Sequence, residues 1–128
     1  MDLRSVSTEK APKAIGPYSQ AIATGDLIFT AGQVALDPAS GELVSGDIKL
    51  QTARVLDNLA AVLDAAGSGL DKVVKCTVFL ADFAEFGAMN EVYAQFFGEA
   101  KPARTTVETK FADPKMKVEI DCIAYKPK

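Results

Sequence analysis

Apolar and polar positions follow two periods along this chain, and the switches between them mark out the elements. Residues 18–23 (YSQAIA) and 27–36 (LIFTAGQVAL) read as strands, and Thr24, Gly25 and Asp26 between them carry hairpin-turn chemistry, so the two are expected to pair antiparallel. A second turn is predicted at DPASG, residues 37–41. From Asp47 the period becomes helical, with Ala53, Leu56, Leu59, Ala60, Leu63 and Ala66 on one face, Asp47 placed as N-cap and Gly67 as the residue beyond the C-cap. KVVKCTVFL, residues 72–80, is a β-branched strand. A second helix is predicted from Asp82, with Glu85 completing a capping box and Phe86, Met89, Tyr93, Phe96 and Phe97 as its buried stripe, closed by Gly98 and Pro102. Residues 103–109 and 117–124 read as two further strands joined by a turn at Ala112, Asp113 and Pro114.

The predicted order is β-β-α-β-α-β-β, an α+β fold with a mixed sheet and two helices on one face, in a single domain over residues 1–128. The strands are not clean alternators. LIFTAGQVAL offers Leu27, Phe29, Ala31 and Ala35 to one side and Ile28, Val34 and Leu36 to the other, while the helices cover only one face. An apolar second face implies self-association in a closed symmetric oligomer, with any pocket between subunits.

Composition narrows the function classes. At 128 residues the chain buries roughly two thirds of its unfolded surface, without a covalent staple. A formal net charge of −3 disfavours a nucleic-acid partner. No signal-peptide core or membrane-length apolar run is present, so a cytoplasmic protein is expected, with no membrane partner. Cys76 and Cys122 lie in apolar runs and are expected in the core. The chain has no histidine, which removes Ser-His-Asp triads, Cys-His dyads and His-based zinc sites.

Charged chemistry concentrates in PARTTVETKFADPKMKVEIDC, residues 102–122. Folding this stretch as a hairpin brings Arg104 opposite Glu119, within two residues of register. One outcome is a cross-strand ion pair worth less than about 1 kcal/mol. The other is a site in which a guanidinium holds a substrate carboxylate by two bonds while the glutamate orients and deprotonates water.

AIGPYSQAI, FTAGQVALDPASGELV, VVKCTVFLADFAEFGAMNEVYAQFF, PARTTVE and VEIDCIA together resemble the RidA family, the enamine/imine deaminases, over nearly the whole chain. The resemblance implies a chorismate-mutase-like fold and a homotrimer with a central barrel and active sites at the subunit interfaces. It further implies hydrolysis of 2-aminoacrylate and related 2-imino acids to 2-oxo acids and ammonia, without cofactor or metal. By the same resemblance Arg104 grips the substrate carboxylate, Glu119 positions the attacking water, Tyr18 packs on the flat substrate and Gly32 lets it approach the backbone. Ala31 and Thr106 complete the substrate-binding set; Ala31 stands where many members carry serine, Thr106 where some carry cysteine, and Lys101 where an aromatic is common. Asn90 matches a recurrent helix asparagine, expected to hold the helix near the site. Two other readings stay open: a non-catalytic metabolite-binding or regulatory trimer, and a ribonuclease, against which the charge and the missing histidine count.

Overall fold

The structure, a computed structural model, describes residues 2–128. Six strands form one mixed sheet: β1 (Arg4–Val6), β2 (Ala21–Thr24), β3 (Leu27–Thr30), β4 (Val73–Leu80), β5 (Ala103–Glu108) and β6 (Val118–Tyr125). Their order across the sheet is β1-β2-β3-β6-β4-β5, with β4 and β5 parallel and every other pair antiparallel. Two helices, α1 (Ile48–Ala65) and α2 (Phe86–Phe97), share one core with the inward rows of the sheet. In that core Val55, Leu59 and Leu63 of α1 and Met89 and Tyr93 of α2 meet Ile28, Val78, Ile120 and Ala124.

The first helix forms as its sequence predicts. The Asp47 carboxylate accepts from the Leu50 N–H at 2.9 Å, and Gly67 ends the helix at a φ of 83° that an L side chain resists. Cys76 and Cys122 are both buried.

Three expectations are corrected. The short β1 adds a strand at the N-terminal edge, so the order is β-β-β-α-β-α-β-β. The strand expected over 27–36 pairs regularly only to Thr30, and single bridges, Gln33 with Ile120 and Leu36 with Leu43, replace the ladder beyond it. Asp82 caps a single 3₁₀ turn, Phe83–Glu85, through the Ala84 N–H at 2.9 Å, and α2 starts at Phe86. Glu85 pairs with Lys117 instead of closing a capping box.

The largest correction concerns residues 102–122, which are not a hairpin. β4 lies between β5 and β6, pairing parallel with one and antiparallel with the other. It suits an interior position because its inward residues Cys76, Val78 and Leu80 are fully buried while Thr77 and Phe79 are half-buried on the other side. The connection 109–117 passes over the end of β4, held by Thr109 N–H to Leu80 C=O at 2.8 Å and Ala81 N–H to Lys117 C=O at 3.0 Å.

The face of the sheet without helices carries exposed apolar side chains. Leu27, Phe29, Val107 and Tyr125, on β3, β5 and β6, are 39–44 % exposed. Leu27, Phe29 and Tyr125 are neighbours in register, whereas Val107 is level with Glu119, six residues along β6 from Tyr125. Among the described residues no helix is long and apolar enough to cross a membrane.

Candidate functional site

The register fixes where the two charged residues go. Arg104 is level with Cys76, which is level with Cys122, and these cysteines point into the core. Glu119 is level with Phe79, three residues along β4 from Cys76, so the period of two turns it to the opposite face. Two strand spacings, about 10 Å, and three residues of rise, about 10 Å, also separate them. Within one chain Arg104 and Glu119 therefore do not meet, which corrects the expectation of a shared hairpin.

Each instead organises its own cluster. On the helix side, the Arg104 guanidinium lies 4.8 Å from the Tyr93 ring centroid and 5.4 Å from that of Phe86, and Nη1 donates to Asn90 Oδ1 at 2.8 Å. Phe86, Asn90 and Tyr93 recur at helical spacing, so one face of α2 supplies the whole cradle. Aromatic faces attract the cation, and one carboxamide fixes the orientation of the fork. Thr106 shares this side, and its buried hydroxyl has no hydrogen-bond partner among the described residues. Phe86 and Tyr93 read in the sequence as core stripe. Both do pack in or against the core, and their spacing around Asn90 is the signal that could have identified the cradle of Arg104.

On the other side, Glu119 opens onto a cavity of about 290 Å³, lined also by Tyr18, Gly32, Val34, Phe111 and Met116. Burial raises the Glu119 carboxyl above the ordinary carboxylate range, and the neighbouring Asp121 charge raises it further. A carboxylate held this way is a stronger base than one in water. Tyr18, 53 % exposed, also lines a broader concavity of about 770 Å³ against the N-terminal segment. Ala31 adjoins Gly32, and its N–H donates to the Gln20 C=O at 2.9 Å. Thr30 cannot serve the cavity, because its hydroxyl accepts from the Cys122 N–H at 3.0 Å on the core side.

Gly32 is required by space. A Cβ there would lie 2.9 Å from the Glu119 Cδ and closer still to Oε2. Gly32→Ala is expected to swing the carboxylate away while leaving the fold intact. Crystallography of the variant would show the displaced carboxylate, and turnover should fall about 10-fold or more for a displacement near 1 Å.

Among the described residues no group of three His, Cys, Asp or Glu side chains is arranged to hold a metal ion. The chemistry on view is a caged guanidinium on one side of the sheet and a desolvated carboxylate in an apolar cavity on the other.

Comparison with known proteins adds independent findings. A family model described as endoribonuclease L-PSP matches residues 8–126. The chain is 54 % identical over 121 residues to a RutC family protein of Pyrococcus abyssi, covering 94 % of this chain and 95 % of that one. It is 46 % identical over 119 residues to the chloroplastic Reactive Intermediate Deaminase A of Arabidopsis thaliana, covering 93 % of this chain and 64 % of that protein. The crystal structure of E. coli TdcF with bound serine matches with a TM-score of 0.90 at 37 % identity, over 97 % of this chain and 99 % of that one.

Proposed function

We propose, from the premise that this chain belongs to the endoribonuclease L-PSP family, also called YjgF/RidA, that it is a hydrolytic deaminase of reactive enamine and imine acids such as 2-aminoacrylate. The observation that carries this reading is the division of the two clusters between opposite faces of one sheet. A cation fork and a basic carboxylate are both present, yet they converge only if Arg104 of one copy meets Glu119 of a neighbour. The exposed apolar face gives a physical reason for copies to associate. A homotrimer with sites between subunits fits both facts.

In the proposed reaction the enamine tautomerises to the imine, and Arg104 takes its carboxylate in a bidentate grip. The Asn90, Phe86 and Tyr93 cradle holds the fork in place beforehand, so little order is lost on binding. Glu119 takes a proton from a water that attacks the C=N carbon and passes it to the nitrogen, giving a carbinolamine; transfer of the hydroxyl proton to the amino group then breaks the C–N bond, expelling ammonia and leaving the 2-oxo acid. Tyr18 and the backbone at Gly32 and Ala31 bound the substrate on the Glu119 side, and Thr106 on the Arg104 side. Imines hydrolyse without help, so positioning plus one general base, worth about 100-fold to 10,000-fold, is sufficient.

The direct test couples a pyridoxal-phosphate-dependent dehydratase to this protein and measures 2-oxo acid and ammonia. Faster release than from the dehydratase alone is expected. Ligand binding without faster release would favour a metabolite-binding trimer instead. A polyanion substrate has less support, since the chain carries a formal net charge of −3 and no histidine.

The raised Glu119 carboxyl gives a pH prediction. Activity needs the deprotonated form, so the rate should rise with pH through a value above 4.5, the ordinary position of a glutamate. Asp121→Asn removes the like charge and should move that limb to lower pH. A limb that stays put in Asp121→Asn, measured as the pH profile of kcat, would assign it to another group.

A further inference from the structure

Segments without regular secondary structure wall the Glu119 cavity, through Pro12, Lys13 and Ile15, through 32–36, and through Phe111, Ala112 and Met116. Backbone outside a helix or ladder leaves N–H and C=O groups in need of partners wherever water is excluded. Each of these walls is gripped by one buried carboxamide, at or beside the lining residues.

Gln20 holds the first. Its Oε1 accepts from the Thr8 N–H at 2.7 Å while Nε2 donates to the Thr8 C=O at 3.1 Å and the Pro12 C=O at 2.8 Å. Gln51, reaching from α1, holds the third: Nε2 donates to the Lys115 C=O at 2.8 Å and Oε1 accepts from the Lys117 N–H at 2.9 Å. Asn58 lies seven residues, two helical turns, further along the same face of α1. Its Nδ2 donates to the Val34 C=O at 3.2 Å and the Leu36 C=O at 2.9 Å, and its Oδ1 accepts from Arg54 Nε at 3.1 Å. These three residues are 4 %, 1 % and 0 % exposed.

Burying a carboxamide is costly unless its donors and acceptor are used, and all three satisfy that condition. A strand in place of each would pull the wall to a ladder spacing of about 4.8 Å from its neighbour. Within the second wall Gln33 is bonded to Ile120 of β6 at that ladder spacing; beyond this bridge the Asn58 arm holds Val34 and Leu36, and side-chain arms of this kind hold each wall at their own length and leave the space between walls open.

We propose that Gln20, Gln51 and Asn58 are positioning residues that fix the width of the Glu119 cavity. For the reaction, the consequence is that they set the size of imine side chain that fits beside Val34, Phe111 and Met116. That consequence rests on the deaminase reading; the grip on the walls does not.

The test uses Gln20→Met, Gln51→Met and Asn58→Leu, which keep side-chain volume and remove the grip, with Thr52→Val as a control. Thr52 is a buried neighbour on α1 whose hydroxyl has no partner among the described residues. Hydrogen exchange of the full-length protein should quicken at 8–15 in the first variant, at 109–117 in the second and at 31–36 in the third. Exchange in β4 and β6 should not change. In parallel, imines of alanine and of leucine, generated by an amino-acid oxidase, should be discriminated about 10-fold less well by kcat/KM. A loosened wall also admits water, so the Glu119 carboxyl, faced by Asp121 on its own strand and by Lys13 across the cavity, should titrate nearer its ordinary value by carbon NMR. Thr52→Val should change none of these.

Unchanged local exchange with unchanged discrimination overturns the proposal, as does failure of all three variants to fold, which would make the carboxamides determinants of the fold itself. Segment-specific exchange in a protein whose parent form hydrolyses neither imine would overturn the deaminase reading and uphold the positioning role.

Discussion

Arg104→Ala and Glu119→Gln chains, each inactive alone, are expected to regain about a quarter of the parental rate when co-expressed in equal amounts, as a head-to-tail ring of three requires. Each site in such a ring draws its arginine from one copy and its glutamate from the next. In a random mixture half the chains retain each residue, so one interface in four is intact on both sides. Alone, Glu119→Gln loses the base and should fall about 100-fold to 10,000-fold in kcat. Arg104→Ala loses charge-assisted hydrogen bonds to the carboxylate, each worth about 1.5–3 kcal/mol, and with them the fixed pose. Arg104→Lys should recover little, because an ammonium lacks the planar fork. The measurement is 2-oxo acid release from mixed and unmixed preparations. No recovery on mixing, with both chains folded and assembled, would mean that each site is built from one chain after all.

Phe29→Asp should give folded monomers with activity reduced by 100-fold or about that, the scale on which a positioned base contributes. Phe29 sits on the helix-free face at 40 % exposure, outside the core, so the fold does not depend on it. A carboxylate there, beside Leu27 and across from Ile123, would have to be desolvated without a partner on association, which costs far more than a surface charge. Light scattering would report the mass, and far-ultraviolet circular dichroism the retained fold. An active monomer would sink the interfacial site, whereas an intact oligomer would place the contact elsewhere on the molecule.

What the sequence made legible was local. Asp47 and Gly67 bracket α1 because a cap and a positive φ each need particular residues. The face of every residue in β6 follows from alternation, and the structure buries Val118, Ile120, Cys122 and Ala124 as the pattern implies. Strand order is another matter. Periodicity says which way a side chain points, not which strand lies alongside, and a connection of nine residues, 109–117, is long enough to step over β4 as easily as to turn back. That one choice moved Arg104 away from Glu119. Residue identity flagged both correctly as charged groups on strands, yet their separation within one chain follows from strand order, which alternation does not encode. The cradle around Arg104 was equally hidden, since an aromatic under a cation and an aromatic in a core obey the same helical spacing.

The position of β6 has a consequence for biosynthesis. It is the last of the six strands to be made and it lies at the centre of the sheet, bonded to β3 on one side and β4 on the other. Until it emerges from the ribosome, the β1–β3 meander and the β4–α2–β5 crossover have no shared edge to join them. Both nascent pieces present raw strand margins that invite pairing with the wrong chain. Vectorial folding from the N-terminus is therefore closed to this topology. The sheet closes only when β6 inserts between the two pieces.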